Sequence, residues 1–342
     1  MKMLKPALAA LACVALWTNA CTVSAAGLPG AGKTVHYAQT DGLGANYVSV
    51  QIAIRALKAM GYEVGLKTMG TVLFFQAVAQ GDVDLETDVN FPQSDPSFRA
   101  VQDRAARVGN GQIDGGGING YLIDRKTALA HDITSLEQMK DPKIAALFGN
   151  GGKAQLVSCD PGWSCGDVVN YQLDKFGLRQ TVKPVTGKYE ALMADVVSRI
   201  KAGEPAFFYA WSPSWTTSEL VPGKDVVWLP TPADALPPNV PNAGSALVKD
   251  VPGCAGGANP CRMAMASWNY AAVANKAFIA ANPPVRALVE QIHFPSSTWS
   301  NWELAISQSH GASSIVDTLA DQWIAANKAT FDRWVATASE AR

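Results

Sequence analysis

Hydrophobic residues follow two periods that alternate along the first part of the chain. Residues 34–39 ("TVHYAQ") show the every-second-position pattern of a strand, and residues 45–62 repeat apolar side chains every fourth position, as a helix does. A strand pattern at 63–69, a helix pattern at 71–80 and a strand pattern at 83–89 follow. This order predicts an α/β fold with mainly parallel sheets, flanking helices and functional loops at the strand ends.

The same alternation starts again near residue 118 with "INGYLIDRKTA". Short apolar strands are predicted at 205–211 and 225–230, a long loop at 230–261 and a return strand at 267–275. The other segments with helical periodicity span residues 135–148, 166–177, 188–203, 282–292, 297–308 and 313–339.

Two alternating stretches predict two lobes with a cleft between them, which is where small ligands usually bind. We expect lobe 1 to comprise residues 27–118 plus 269–342, so that the C-terminal helices close it, and lobe 2 to comprise residues 119–268.

Residues 1–26 have the features of a secretory signal peptide. Two lysines precede a short apolar run, and small residues offer a cleavage site near Ala25 or Ala26. Lipid attachment at Cys21 is an alternative, although the residues before it fit that pattern poorly. No later apolar run reaches the length of a membrane span, so we expect an exported, soluble protein.

The charge balance narrows the choice of partners. The 342 residues include 28 basic and 29 acidic side chains, for a net charge of −1. Nucleic acid or an anionic membrane surface as the main partner would favour a basic excess, so we expect neither.

Two of the six cysteines lie in the leader, and the other four form two close pairs. Four cysteines permit three pairings, and spacing favours the local one, Cys159–Cys165 and Cys254–Cys261. Neither spacing nor nearby histidines suits a tetrahedral metal site, so no metal is expected.

The segment "GLPGAGKT", residues 27–34, matches the phosphate-binding pattern G-x-x-x-x-G-K-[ST]. That site needs a strand before the loop and a helix after it. Here the predicted cleavage site precedes it and a strand pattern follows, so we interpret it as a turn.

Three tryptophans are placed where a cleft would use them. Trp163 lies between the cysteines of the first pair, and Trp211 and Trp215 bracket "WSPSW" after a predicted strand. Packing in the core is the ordinary alternative for each one. Together they predict a cleft lined with aromatic rings, which attract a quaternary ammonium group by about 0.5–2 kcal/mol per ring once it is desolvated.

The sequence after Trp163 predicts a site for an anion. "SCGD" from Ser164 to Asp167 fits a capping box at the start of a helix. The free backbone N–H groups of Ser164 and Cys165 would therefore point out of that helix and suit a carboxylate. A cation box beside an anion site indicates a small zwitterion as ligand.

Several long segments make the chain resemble the periplasmic glycine betaine/proline betaine-binding proteins of osmoprotectant ABC importers. The resemblance covers essentially the whole chain after the leader. It rests on "GYLIDRKTA", "KDPKIAALF", "CDPGWSC", "YEALMADVVSRIKAGEPAFFYAWSPSW", "ELVPGKDVVWL" and "VANKAF". It implies a periplasmic, two-lobed, type II-like binding-protein fold without catalytic function. In this family a box of three tryptophan rings surrounds the trimethylammonium group of the ligand, and two backbone amides and a histidine bind its carboxylate.

Some of the family's ligand-binding residues are present at the matching positions of this chain, and others are replaced. Trp163 and Trp211 match two box positions, and Ser164 and Cys165 match the amide donors, whereas Trp215 matches a neighbouring aromatic position.

The third box position is occupied by Phe91, which is a weaker π surface than tryptophan. The histidine is replaced by Ser94 or Asp95, and the surrounding P-x-x-D favours Ser94. An acid here, Asp95 or nearby Asp88, would favour a ligand with a net positive charge, unless these acids are simply solvated.

The leading hypothesis is therefore a receptor that delivers a quaternary-ammonium solute to a membrane permease and its cytoplasmic ATPase. Choline, carnitine, a sulfonium analogue or an amino acid remain alternative ligands, and a sensing role remains an alternative to transport. The sequence lacks H-E-x-x-H, G-x-S-x-G and a nucleophile–histidine pairing, so no enzyme is expected. We also expect no cofactor and a monomer.

Overall fold

A computed structural model describes residues 27–149, 151–159, 164–238, 246–309 and 312–342. Two five-stranded sheets, each covered by helices, form its framework. None of the helices within these ranges is long and apolar enough to cross a membrane. The strands are β1 Thr34–Gln39, β2 Glu63–Thr68, β3 Leu85–Phe91, β4 Ala105–Val108, β5 Ile118–Asp124, β6 Ala154–Val157, β7 Val182–Val185, β8 Phe207–Ser212, β9 Val226–Leu229, β10 Leu247–Val248, β11 Cys261–Arg262 and β12 Asn269–Asn275.

Thirteen α-helices lie in the described part of the chain. They are α1 Ala45–Ala59, α2 Thr71–Gln80, α3 Asp95–Val101, α4 Arg125–Ala130, α5 Pro142–Ala146, α6 Ser164–Lys175, α7 Tyr189–Lys201, α8 Trp215–Glu219, α9 Lys276–Ala281, α10 Pro283–Gln291, α11 Ser296–Gln308, α12 Ser314–Ala326 and α13 Lys328–Glu340.

Four of the five strands in each sheet run in the same direction. The first sheet has the order β2-β1-β3-β12-β4, and β12 alone is antiparallel to its neighbours. The second sheet has the order β7-β6-β8-β5-β9, and β5 is the reversed strand. The mainly parallel α/β architecture is therefore confirmed. In each sheet the reversed strand is the one through which the chain arrives from the other sheet.

Two segments cross between the sheets and pair with each other. The amide of Gly117 donates to the carbonyl of Trp268 at 2.7 Å, and the amide of Trp268 donates back at 3.0 Å. A side chain at position 117 would overlap the indole ring of Trp268. Glycine is needed here because the indole packs directly on the backbone of the crossing strand.

Each sheet has a hydrophobic cluster on both of its faces. Helix α1 packs against α12 and α11, while α13 packs against α10, so that the C-terminal helices close the first sheet. Phe294 lies at the centre of this group, with Trp302 and Trp323 each 5.0 Å away between ring centroids. Trp302 and Trp323 are thus packing residues of this core.

The predicted helices are present with two interruptions. Residues 135–148 form a 3-10 helix, Leu136–Lys140, followed by α5, because Pro142 lacks an N–H and Asp141 begins a new helix by accepting from the amide of Lys143 at 2.8 Å. Residues 313–339 form two helices that meet at Asn327. The glycine-rich residues 27–33 form turns directly before β1, as predicted.

Candidate functional site

A cavity of about 540 Å³ lies between the two sheets, at the carboxyl ends of their parallel strands and the amino ends of the reversed strands β5 and β12. The first sheet contributes residues from β3 and β12 and from the segments that follow β1 and β3, and the second sheet contributes residues from β5, α6 and β8. Trp268 belongs to the crossing segment. We refer to this cavity as the cleft. Its lining is Thr40, Gly42, Asn46, Thr71, Asp88, Asn90, Gln93, Ser94, Ser97, Asn119, Cys165, Tyr209, Trp211, Trp268 and Tyr270.

Strand β8 delivers an aromatic wall on the side of the second sheet. Trp211 stacks on Tyr189 of α7, with 4.9 Å between centroids and an interplanar angle of 25°. The hydroxyl of Tyr189 donates to the carbonyl of Tyr209 at 3.0 Å, which ties α7 to β8 at this point. Trp215 begins α8 and does not line the cleft. Of the two tryptophans of "WSPSW", Trp211 is therefore the one that lines the cleft.

The start of α6 also reaches the cleft. Cys165 is a lining residue in the first turn of this helix, and it forms a disulfide with Cys159 across a Cα–Cα distance of 6.1 Å. Its backbone amide belongs to a helix N-terminus, which favours a negatively charged group. Cys254 and Cys261 form the second disulfide, so both local pairs are present as predicted. Trp163 and the side chain of Ser164 lie outside the described residues.

The structure places Ser94 and Asp95, the two candidates for the position of the histidine, in different surroundings. Ser94 is 7% exposed and lines the cleft, whereas Asp95 begins α3 and lines a separate cavity of about 620 Å³. A hydroxyl rather than a carboxylate is therefore brought opposite the second sheet.

The structure does not bring Phe91 into the cleft. Its side chain is 3% exposed, packs edge-on against Phe98 and has the Arg107 guanidinium 4.1 Å from its ring centroid. It lines the 620 Å³ cavity instead. Successive side chains of a strand point to opposite faces, so Asn90 faces the cleft and Phe91 faces the core beneath α2 and α3.

Three aromatic residues of the cleft were missed from the sequence: Tyr209 on β8, and Trp268 and Tyr270 near the start of β12. Tyr270 is the cross-strand partner of Asn90 and stacks on Trp299, with 5.4 Å between centroids and 27° between planes. Trp268 lies 5.5 Å from Tyr270 in an edge-on arrangement. Their spacing of two residues within "SWNYAAVAN" places them on one face of a strand, which is the signal that could have identified them.

Asp88 is a buried carboxylate in the wall of the cleft. One oxygen, Oδ2, accepts from the side-chain amide of Asn46 at 2.7 Å and from the backbone amide of Thr40 at 3.3 Å. Burial raises the pKa of Asp88 to about 6, and these two hydrogen bonds partly oppose the rise. Burial also raises the pKa of Glu86, two residues earlier, well above its usual value.

Unpaired polar atoms concentrate around the cleft. Within the described ranges, ten buried side-chain nitrogen or oxygen atoms have no hydrogen-bond partner, and six of them belong to residues of the cleft lining. A polar ligand that reached these atoms on binding would offset the cost of leaving them unpaired. The six unpaired atoms of the cleft lining are Asp88 Oδ1, Asn90 Oδ1, Gln93 Oε1, Asn119 Oδ1, Tyr209 OH and Trp268 Nε1.

The described residues contain no group of three or more His, Cys, Asp or Glu side chains arranged to hold a metal ion. The cleft combines aromatic rings, a buried acid, hydroxyl and amide groups and a helix N-terminus. This set of groups can bind a small polar or charged solute through non-covalent contacts.

A protein-family profile matches residues 33–326 of the chain, and its description is "Substrate binding domain of ABC-type glycine betaine transport system". The chain is 36% identical over 315 residues to the glycine betaine/proline betaine-binding periplasmic protein of Escherichia coli K12, covering 91% of this chain and 92% of that protein. It is 34% identical to a glycine betaine-binding periplasmic protein of Dickeya dadantii, covering 92% of each.

Solved structures show the same fold at lower identity. A glycine betaine/L-proline-binding protein of Borrelia burgdorferi superposes with a TM-score of 0.62 at 14% identity, covering 90% of this chain and all of that chain. Lactococcal OpuAC, closed on glycine betaine, superposes with a TM-score of 0.61 at 16% identity, covering 89% and 99%.

Proposed function

Because the chain belongs to the OpuAC family, the substrate-binding domains of ABC-type glycine betaine transport systems, we propose that its own ligand is glycine betaine or a related quaternary-ammonium solute. The family assigns it to transport proteins that bind small solutes and not to enzymes. Its relatives are periplasmic, which implies export. Cleavage of the leader near Ala25 or Ala26 belongs to the same proposal.

The observation that carries the proposal is that Trp211, Cys165 and Ser94 line one cleft. Trp211 and Cys165 belong to β8 and α6 beside the second sheet, and Ser94 belongs to the loop after β3 of the first sheet. The rings of Trp211 and, by resemblance, Trp163 would hold the quaternary nitrogen through their π faces. The backbone amides of Ser164 and Cys165 and the Ser94 hydroxyl would donate to the carboxylate.

The position of the cleft supports a closing motion. We propose that residues 27–118 plus 269–342 and residues 119–268 act as the two lobes and move about the paired crossing segments at Gly117 and Trp268. A ligand that touches both walls binds the closed form better and therefore shifts the equilibrium towards it. The closed, monomeric receptor would then deliver the solute to the membrane permease that its ATPase drives.

Calorimetric titration of the ligand-free mature protein with glycine betaine, choline and proline tests this function. Trp211→Leu removes a cleft ring, and Trp215→Leu makes the same change four residues away outside the cleft. We expect micromolar or tighter binding of a quaternary-ammonium solute, weakened about 2- to 30-fold by Trp211→Leu and unchanged by Trp215→Leu. No binding of any quaternary-ammonium solute, or equal losses in both variants, would contradict it.

A further inference from the structure

Asp88 differs from the other buried acids in that it belongs to the cleft lining and has one oxygen without a partner. Its side chain is 2% exposed, its Oδ2 is hydrogen-bonded twice, and its Oδ1 has no partner among the described residues. An ionised carboxylate that is removed from water is costly unless a cation or several donors face it.

The protein itself supplies no such cation in the described ranges. The titratable groups that act on or respond to Asp88 are Glu86 on the same strand, Tyr37 on β1, Tyr47 on α1 and Tyr270 on β12. Asp41 and Glu303 act on the same groups and add further negative charge. Every one of these groups is acidic or phenolic, so this wall of the cleft is suited to a positive charge that comes from outside.

We propose that Asp88 is the counter-charge for the cationic group of the ligand, and that it makes the cleft accept a net-cationic quaternary ammonium alcohol at least as readily as a zwitterionic betaine. This inference rests on the proposed function and names the ligand class within it. The Oδ1 atom accepts from a ligand hydroxyl or faces the quaternary nitrogen directly, while Tyr270 and Trp268 line the same wall with aromatic surface.

The two ligand types respond differently to this charge. Choline carries a single positive charge, so it gains from Asp88 without any penalty. Glycine betaine gains at its nitrogen and loses at its carboxylate, because like charges repel in a cleft of low dielectric constant. The carboxylate of glycine betaine would therefore bind at the start of α6, on the opposite wall of the cleft. Removing the charge of Asp88 should therefore change the ratio of the two affinities and not only their level.

The experiment is calorimetric titration of the ligand-free full mature protein with choline and with glycine betaine at pH 7.5. Asp88→Asn keeps the shape of the side chain and removes its charge. Asp95→Asn is the matched control, because Asp95 lies seven residues further along the chain, at the start of α3, and lines the other cavity. We expect Asp88→Asn to weaken choline at least about tenfold and betaine less, and Asp95→Asn to change each less than about twofold.

The pH dependence is a second readout. Choline affinity of the unmutated protein should rise between pH 5 and pH 7.5 as Asp88 ionises, and this rise should be absent in Asp88→Asn. The inference fails if choline does not bind while betaine does, if the affinity ratio is unchanged in Asp88→Asn, or if Asp95→Asn shifts it equally. Failure of both solutes to bind the unmutated protein would overturn the proposed function as well, which separates the two results.

Discussion

The charge of Asp88 should cost the ligand-free protein stability, so that Asp88→Asn unfolds less readily than the original protein. Burial raises its pKa from 3.8 to about 6, which means that the folded state holds the proton more tightly than the unfolded state. A pKa that is higher by about two in the folded state corresponds to about 3 kcal/mol of unfolding free energy once the group is ionised. Asparagine keeps an acceptor for Asn46 and Thr40 and carries no charge, so the variant should escape this penalty.

The sign and the pH window follow from linkage. Below pH 3.8 both states are protonated and the penalty vanishes; as the pH rises through 6, the folded state must lose its proton and stability is lost. The variant should therefore gain about 1 kcal/mol over the original protein at pH 4.5 and about 3 kcal/mol at pH 7.5.

Urea unfolding of both ligand-free proteins, followed by tryptophan fluorescence at pH 4.5, 6 and 7.5, measures this difference. Equal slopes of free energy against urea would show that the unfolded states are comparable. Equal stability of the two proteins at pH 7.5, or a gain that does not grow with pH, would refute the view that a buried and unpaired carboxylate is retained in the cleft. A stabilised variant that also binds choline weakly would show that the acid is kept for the ligand.

Three further predictions follow from the same structure. Burial raises the pKa of Glu303 to about 7, so Glu303→Gln should raise the unfolding free energy above pH 7 by about 3 kcal/mol and have little effect below pH 4.5 in the same urea assay. Tyr270→Leu should weaken solute binding about 2- to 30-fold in calorimetry, whereas Phe91→Leu should lower the melting temperature and leave the affinity unchanged; the opposite result would place Phe91 in the box. Gly117→Ala should lower the melting temperature by forcing the Trp268 indole away, at a cost of about 1–3 kcal/mol, and an unchanged melting temperature would contradict the close packing.

The sequence alone determined the features that depend on local chain chemistry. Helix and strand periods, the turn before β1 and both disulfides were predictable, because each depends on residues that are close together along the chain. The helical pattern predicted at 166–177 was found for the same reason, although α6 begins two residues earlier, at Ser164. The alternating pattern predicted two lobes, and the resemblance to a known family pointed to Trp211, Ser94 and Cys165, which the structure brings into one cleft.

Only the tertiary structure decided which side chains face the ligand on the first sheet. Six of the seven residues of β3 are buried, because both faces of the strand are covered, and its polar and apolar residues give no clean alternation. The sequence therefore could not show that Asn90 faces the cleft and Phe91 the core. Tyr270 reaches the cleft through β12, which joins β3 only after about 180 intervening residues, so no local pattern connects it with Asp88. The charge environment of Asp88 has the same origin, since burial is a property of the packed sheets and not of the strand sequence.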